Sequence, residues 1–165
     1  MECCWSVWLM PDNEDRDKYR NLIRFFSSKY NSPIFQPHVT LYGSLDIDPQ
    51  STFSFFKKLI SRQNYFTLVP IKIESKDPPW KTLIVSLKEE KDLLILQNKI
   101  HNKFKIYKDY NFSPHLSLAY GDISIKESEK NSISLDESIR FSDVSLVMTS
   151  GNINNWNVIK TFQLK

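Results

Sequence analysis

The chain has 165 residues, 41% hydrophobic and 25% charged, a length and composition that suit one globular domain over residues 1–165 and argue against disorder, collagen-like repeats or a disulfide scaffold. Net charge is +3 from 22 basic and 19 acidic residues, and Lys57-Lys58 is the only basic doublet, so a small anionic ligand fits better than a long duplex. No apolar run approaches the ~20 residues of a membrane span, and no basic segment followed by an apolar stretch opens the chain, so a soluble, cytoplasmic protein without a membrane partner is expected.

Trp5 to Met10 reads as a strand, stopped by Pro11, with Asp12-Asn13 as a helix cap. Tyr19, Leu22, Ile23, Phe26 and Tyr30 recur on one helical face, and Asn31-Ser32-Pro33 ends that helix. His38 to Tyr42 is the next expected strand. Gly43 to Gln50 reads as a turn, with Pro49 starting a helix through Phe53, Phe56, Leu59 and Ile60.

Phe66 to Glu74 reads as one strand and, beyond the Pro78-Pro79 break, Trp80 to Leu87 as another. A third helix runs through Leu93, Leu96, Ile100 and Phe104. His115 to Tyr120 is a strand, Ile125 to Ser132 a short polar helix, and Arg140 to Met148 and Trp156 to Phe162 are the closing strands. Several strands follow one another by short turns, which indicates α+β with mixed or antiparallel sheets rather than a doubly wound parallel sheet. Cys3 and Cys4 are adjacent and close no useful loop; they read as reduced thiols, and no Cys-x-x-Cys or His cluster accompanies them to hold zinc.

One stretch repeats. Phe35-Gln36-Pro37-His38-Val39-Thr40-Leu41-Tyr42-Gly43 is echoed by Phe112-Ser113-Pro114-His115-Leu116-Ser117-Leu118-Ala119-Tyr120-Gly121, the second copy carrying one extra residue before its Gly. Side chains at i and i+2 of a strand share a face, so His38 with Thr40, and His115 with Ser117, present an imidazole and a hydroxyl opposite their apolar neighbours. A lone strand histidine is usually a structural residue satisfied by backbone. A Pro-His-x-[Ser/Thr]-Leu match arises by chance on the order of once in several hundred chains of this length, and a second copy is rarer again, so the duplication favours chemistry.

Two imidazoles with unperturbed pKa near ~6.5 at one reactive centre make a general acid and a general base, and short hydroxyls can bind phosphate oxygens as charge rearranges. That set suits phosphodiester hydrolysis without a cofactor or metal.

The paired motifs resemble those of the 2H phosphoesterases, named for two His-x-[Ser/Thr]-x motifs. Trp5-Ser6-Val7-Trp8-Leu9-Met10-Pro11, Pro37-His38-Val39-Thr40 and Pro114-His115-Leu116-Ser117-Leu118-Ala119-Tyr120 look most like the plant and yeast cyclic phosphodiesterases. The resemblance implies two pseudo-symmetric lobes, each a small antiparallel sheet with outer helices, and an active-site cleft between them. It implies His38 and His115 as acid and base, Thr40 and Ser117 as phosphate ligands, and a cyclic phosphodiester on ribose as substrate: a nucleoside 2′,3′-cyclic phosphate or ADP-ribose 1″,2″-cyclic phosphate. Related enzymes tend to place the water near the second motif, which would make His115 the base and His38 the acid.

Tyr120 matches a site-lining tyrosine of the plant-type enzymes, yet strand parity puts it on the Leu118 side, so that role requires a bulge or strand end. Trp8 matches a family tryptophan able to cover substrate, though its strand context favours core packing; Trp80, just after the Pro-Pro break, could stack a nucleobase, with core or lobe packing favoured instead. His101 is expected on a helix flank, outside the chemistry. Rival readings are an RNA-end-processing or 2′,5′-phosphodiesterase member of the same superfamily, with RNA ends as partner, and a nucleotide- or RNA-binding module without turnover. A monomer is expected.

Overall fold

The computed structural model describes residues 4–165. Cys3 therefore lies outside the described residues, while Cys4 is a free thiol.

The elements run β1 (Trp5–Pro11), α1 (Asn13–Tyr30), β2 (Val39–Leu45), α2 (Phe53–Ile60), β3 (Phe66–Leu68), β4 (Pro70–Glu74), β5 (Leu83–Leu87), α3 (Lys91–Phe104), β6 (His115–Ala119), α4 (Glu127–Asn131), β7 (Ile139–Met148) and β8 (Asn157–Gln163). The Asp12 carboxylate accepts from the Asp15 backbone N–H and caps α1, which stops at Asn31 in the left-handed conformation (φ 53°) that asparagine tolerates. Pro49 opens a single 3₁₀ turn, Pro49–Thr52, ahead of α2.

Every strand pairing is antiparallel, in the order β3-β7-β1-β2-β6-β5-β4 with β8 also on β7. The two lobes are the halves of this order. β1, β2, β3, β7 and β8 form one, β4, β5 and β6 the other, and the register between them is a single pair, Val39 opposite Leu116. The repeated motifs thus sit on adjacent strands at the seam. Two of the helices reach across it: α1, which precedes the first motif, packs on β6 as well as β1, and α3, which precedes the second, packs on β2.

Three expected elements differ. Phe66 to Glu74 is two strands, because Leu68 completes a ladder with Ile139 while Pro70 opens a ladder with Leu87 at the opposite end of the strand order; Val69 alone joins them. The expected turn at Gly43 is strand, since β2 runs on to Leu45 opposite Trp5. The strand expected from Trp80 starts at Leu83. Pro78 and Pro79 and the bond from the Lys81 N–H to the Asp77 carbonyl (3.0 Å) bend residues 77–82 into a loop.

Along β1 the alternation is strict: Trp5, Val7 and Leu9 enter the main core, whereas Ser6, Trp8 and Met10 take the other face. The core is dense in aromatic rings. Trp5, Phe56 and Phe104 are fully buried and meet edge-on or stacked with centroids 5.8–6.4 Å apart, and the Trp5 indole N–H donates to the Ile47 carbonyl at 2.7 Å.

Candidate active site

His38 and His115 line one cavity of about 350 Å³, in company with Trp8, Thr40, Trp80, Lys81, Tyr110, Tyr120 and Trp156. The strands carrying the motifs converge on it because the repeat extends to a backbone defect. On β2, Thr40 opposes Trp8 and Tyr42 opposes Val7, so Leu41 is an extra residue; on β6, Ser117 opposes Ile84 and Ala119 opposes Leu83, so Leu118 is the extra residue. Each bulge falls three residues after its histidine and shifts side-chain parity. Tyr42 is accordingly buried in the core, two residues from Thr40 but on the opposite face.

Tyr120 follows the end of β6 and comes back to the cavity. Its ring stacks on Phe35 (centroids 4.1 Å apart, planes at 29°) and its hydroxyl lies 3.5 Å from His38 Nε2. Both a bulge and a strand end therefore supply the geometry that parity alone denied it. Burial pushes the Tyr120 hydroxyl up to about 12, with the Ser117 hydroxyl pulling the other way, so it is a neutral O–H.

The two imidazoles are held alike. His38 Nδ1 lies 2.6 Å from the Gln36 carbonyl, and His115 Nδ1 lies 2.7 Å from the Ser113 carbonyl, in each case two residues upstream. A carbonyl oxygen only accepts, so Nδ1 carries the proton in both neutral rings and Nε2 keeps its lone pair for the cavity. Gln36 and Ser113 occupy matching positions of the repeat and contribute through backbone alone.

Their surroundings differ. His38, 3% exposed, has its pKa driven down to about 3 by burial, only partly offset by the Gln36 carbonyl, with His115 adding repulsion. His115 is half-buried and also lowered, first by burial and then by the positive charges of Lys81 and Lys76, against the favourable Ser113 carbonyl. Without ligand both rings are neutral at pH 7.

Thr40 lines the cavity, directly opposite Trp8 across the ladder. Ser117 is 3% exposed and lies behind the wall beside Tyr120 rather than on it. Trp8 is buried, as its strand context suggested, but on the cavity face, where it stacks flat on His38 with centroids 3.5 Å apart and planes at 4°. Parity along β1 carries this information, because Trp8 shares a face with Ser6. Trp80, expected in core or lobe packing, is outside the core and packs against other rings of the cavity. It is 55% exposed, edge-on to Tyr120 at 5.6 Å, because its segment is loop rather than strand. His101 sits on α3 against Tyr42, 3.9 Å from the Asp109 carboxylate and outside the cavity, where its helix-flank position puts it.

Several lining residues escaped the sequence reading. Trp156 precedes β8 and meets Trp8 edge-on at 5.7 Å and Trp80 nearly parallel at 6.3 Å and 19°. Nothing in the Asn-rich Asn152–Asn157 stretch marks it. Ser6 and Thr149 share a hydroxyl hydrogen bond of 3.0 Å, and Ser6 also accepts from the Ser44 N–H. Tyr110 reaches the Thr40 carbonyl at 3.4 Å and packs so near Gly43 that a Cβ there would stand 3.3 Å from its ring. Among the described residues no group of three His, Cys, Asp or Glu is placed to hold a metal ion, and no helix is long and apolar enough to cross a membrane.

Comparison with known proteins finds the same arrangement of chain. The family model for cyclic phosphodiesterase-like proteins matches residues 1–61 and 55–164. The cyclic phosphodiesterase of Arabidopsis thaliana is 24% identical over 157 residues, covering 95% of this chain and 84% of the relative. Among solved structures, E. coli LigT complexed with 3′-AMP superposes with a TM-score of 0.67 at 16% identity over 98% of both chains. TT0787 of Thermus thermophilus gives 0.70 at 14% identity over 98% of this chain and 97% of its own.

Proposed function

The chain belongs to the family of cyclic phosphodiesterase-like proteins, and from that premise we propose that it hydrolyses a cyclic phosphodiester on ribose to a phosphomonoester. The substrate is a nucleoside 2′,3′-cyclic phosphate or ADP-ribose 1″,2″-cyclic phosphate. His38 and His115 exchange the protons, and no resident metal takes part. The name of the Arabidopsis relative and the nucleotide held by E. coli LigT both favour this substrate class.

One observation carries the reading: two histidines in duplicated context line one cavity with both Nδ1–H groups committed to backbone. Each is left with a single working nitrogen, Nε2. His115 takes a proton from water as the water oxygen bonds to phosphorus. One ring P–O bond breaks, and the departing ribose oxygen takes a proton from His38. The cavity is formed by tryptophan and tyrosine rings around few charges, so the anionic phosphate entering it meets a low dielectric. The same low dielectric that costs His38 its proton in the free protein strengthens its attraction to the bound anion and so returns the proton, since a buried imidazolium beside an anion is strongly favoured over a lone one.

Thr40 and Ser117 bind the non-bridging oxygens, Ser117 once Tyr120 yields its hydroxyl. Tyr120 bonds the phosphate beside His38, and Trp80, exposed at the rim near Trp156, stacks the nucleobase. The test is incubation with a 2′,3′-cyclic mononucleotide and detection of phosphomonoester. Release supports the reading. Cleavage confined to RNA ends or 2′,5′ linkages selects the RNA-processing alternative, and binding without turnover selects the binding module.

A further inference from the structure

Motif duplication gives the two histidines the same backbone tie, but only His38 lies on an aromatic face. Its ring covers the Trp8 indole at 3.5 Å with 4° between planes, a centroid separation equal to van der Waals contact and hence a full overlap without offset. Two neutral rings avoid that arrangement, because their quadrupoles repel unless the pair is offset or edge-on. A cationic ring over an indole face is attracted instead. Among the described residues no aromatic ring stacks on His115, and its charged neighbours are Lys81 and Lys76.

The stack is mechanically fixed. Trp8 lies inside β1, opposite Thr40 on one side and Ser145 on the other, and Trp156 abuts it edge-on at 5.7 Å. His38, by contrast, precedes the first residue of β2, so its ring plane is set by the Gln36 carbonyl, the Phe35 edge at 6.2 Å and the indole beneath it. The other groups facing it are the Tyr120 hydroxyl and His115, with Lys81 farther along the cavity wall.

We propose that Trp8 is a positioning residue for His38: the indole holds the imidazole with Nε2 in the cavity and favours its protonated state when substrate is bound. This rests on the reading of His38 as proton donor. It makes the asymmetry of the two motifs functional, with the π face under the acid and the lysines beside the base.

The test compares Trp8→Phe and Trp8→Leu with the parent chain by two independent readouts. The first is the side-chain ¹⁵N spectrum of the histidines, titrated with inorganic phosphate present. The second is the pH dependence of kcat on a 2′,3′-cyclic mononucleotide. In Trp8→Leu, His38 loses its pure Nδ1–H tautomer and its pKa falls by about one unit, the loss expected of a desolvated cation–π contact. The alkaline limb of kcat falls with it, kcat drops about ten-fold, and KM stays within two-fold. Trp8→Phe keeps the tautomer and moves the limb down by less than half as much.

An unchanged tautomer and limb in Trp8→Leu overturns the inference, as does an upward shift, which would mean that Trp8 acts only by excluding water. If the leucine variant does not fold, an alkaline limb in Trp8→Phe identical to the parent's overturns it. The NMR arm needs no turnover, so a failure of the functional reading shows separately, as absence of hydrolysis by the parent chain.

Discussion

The hydroxyl of Tyr120 stands 3.5 Å from Nε2 of His38, a contact across the seam between lobes made by residues 82 positions apart. Tyr120 reaches it only because the Leu118 bulge and the end of β6 turn the chain after Ser117. Its ring is held separately, by stacking on Phe35.

Tyr120→Phe therefore separates packing from hydrogen bonding. The ring and its stack survive, so the melting temperature should change by no more than about 2 °C. Turnover should fall about five- to ten-fold, the value of one neutral hydrogen bond of ~1 kcal/mol. Thermal melts and steady-state rates on the same preparation check both; a loss of 10³-fold would show that the hydroxyl moves a proton rather than binding an oxygen.

His38→Ala and His115→Ala should each cost at least ~10² in kcat, the usual contribution of a positioned acid or base. Thr40→Val should cost less and leave the pH profile unchanged in shape, because it removes an oxygen contact without touching proton transfer. Turnover should persist in EDTA. An EDTA-sensitive rate restored by added divalent metal would overturn the side-chain mechanism.

The pH dependence has a definite sign. The proposed mechanism requires one imidazole neutral and the other protonated, so both kcat/KM and kcat should follow a bell. In the free protein burial holds His38 down to about 3 and lowers His115 as well, so the kcat/KM optimum should lie on the acid side of ~6.5. Bound phosphate favours the imidazolium, so the kcat optimum should sit at higher pH. Superimposable profiles would mean that the substrate's charge does not re-protonate His38.

The motif pair is legible in the sequence because the same residue types recur twice at one spacing, and the period-two rule places His38 with Thr40 on one face. That same rule failed for Tyr120 and Tyr42. A bulge is set by how many residues oppose one another across a ladder, which depends on partner strands at a distance in the chain. Trp80 lies outside the strand for a related reason: the alternation of Leu83, Val85 and Leu87 does not continue backwards through residues that a local hydrogen bond, Lys81 to Asp77, holds as loop. Trp156 could not be foreseen, since its proximity to Trp8 arises only from β8 pairing with β7, which in turn pairs with β1.

Substrate size follows from the cavity's charges. Lys81 is the one lysine or arginine lining it among the described residues, and net charge is only +3. Each phosphate neutralised on a single strand contributes about 0.7 to the salt slope of binding. A mononucleotide engaging one cation should thus show a slope near or below that value. The aromatic walls of Trp8, Trp80 and Trp156 supply attraction that salt does not screen. We expect appreciable hydrolysis of 2′,3′-cyclic mononucleotides, with kcat/KM falling less than about three-fold between 50 and 200 mM salt, roughly what that single slope allows. A chain built to process RNA ends would instead act poorly on mononucleotides, gain efficiency with oligomer length and lose it steeply with salt. Measuring kcat/KM for a cyclic mononucleotide and for an oligomer ending in a 2′,3′-cyclic phosphate at both salt concentrations decides the matter. A strong length preference would transfer the substrate to RNA while leaving His38 and His115 with the same protons to move.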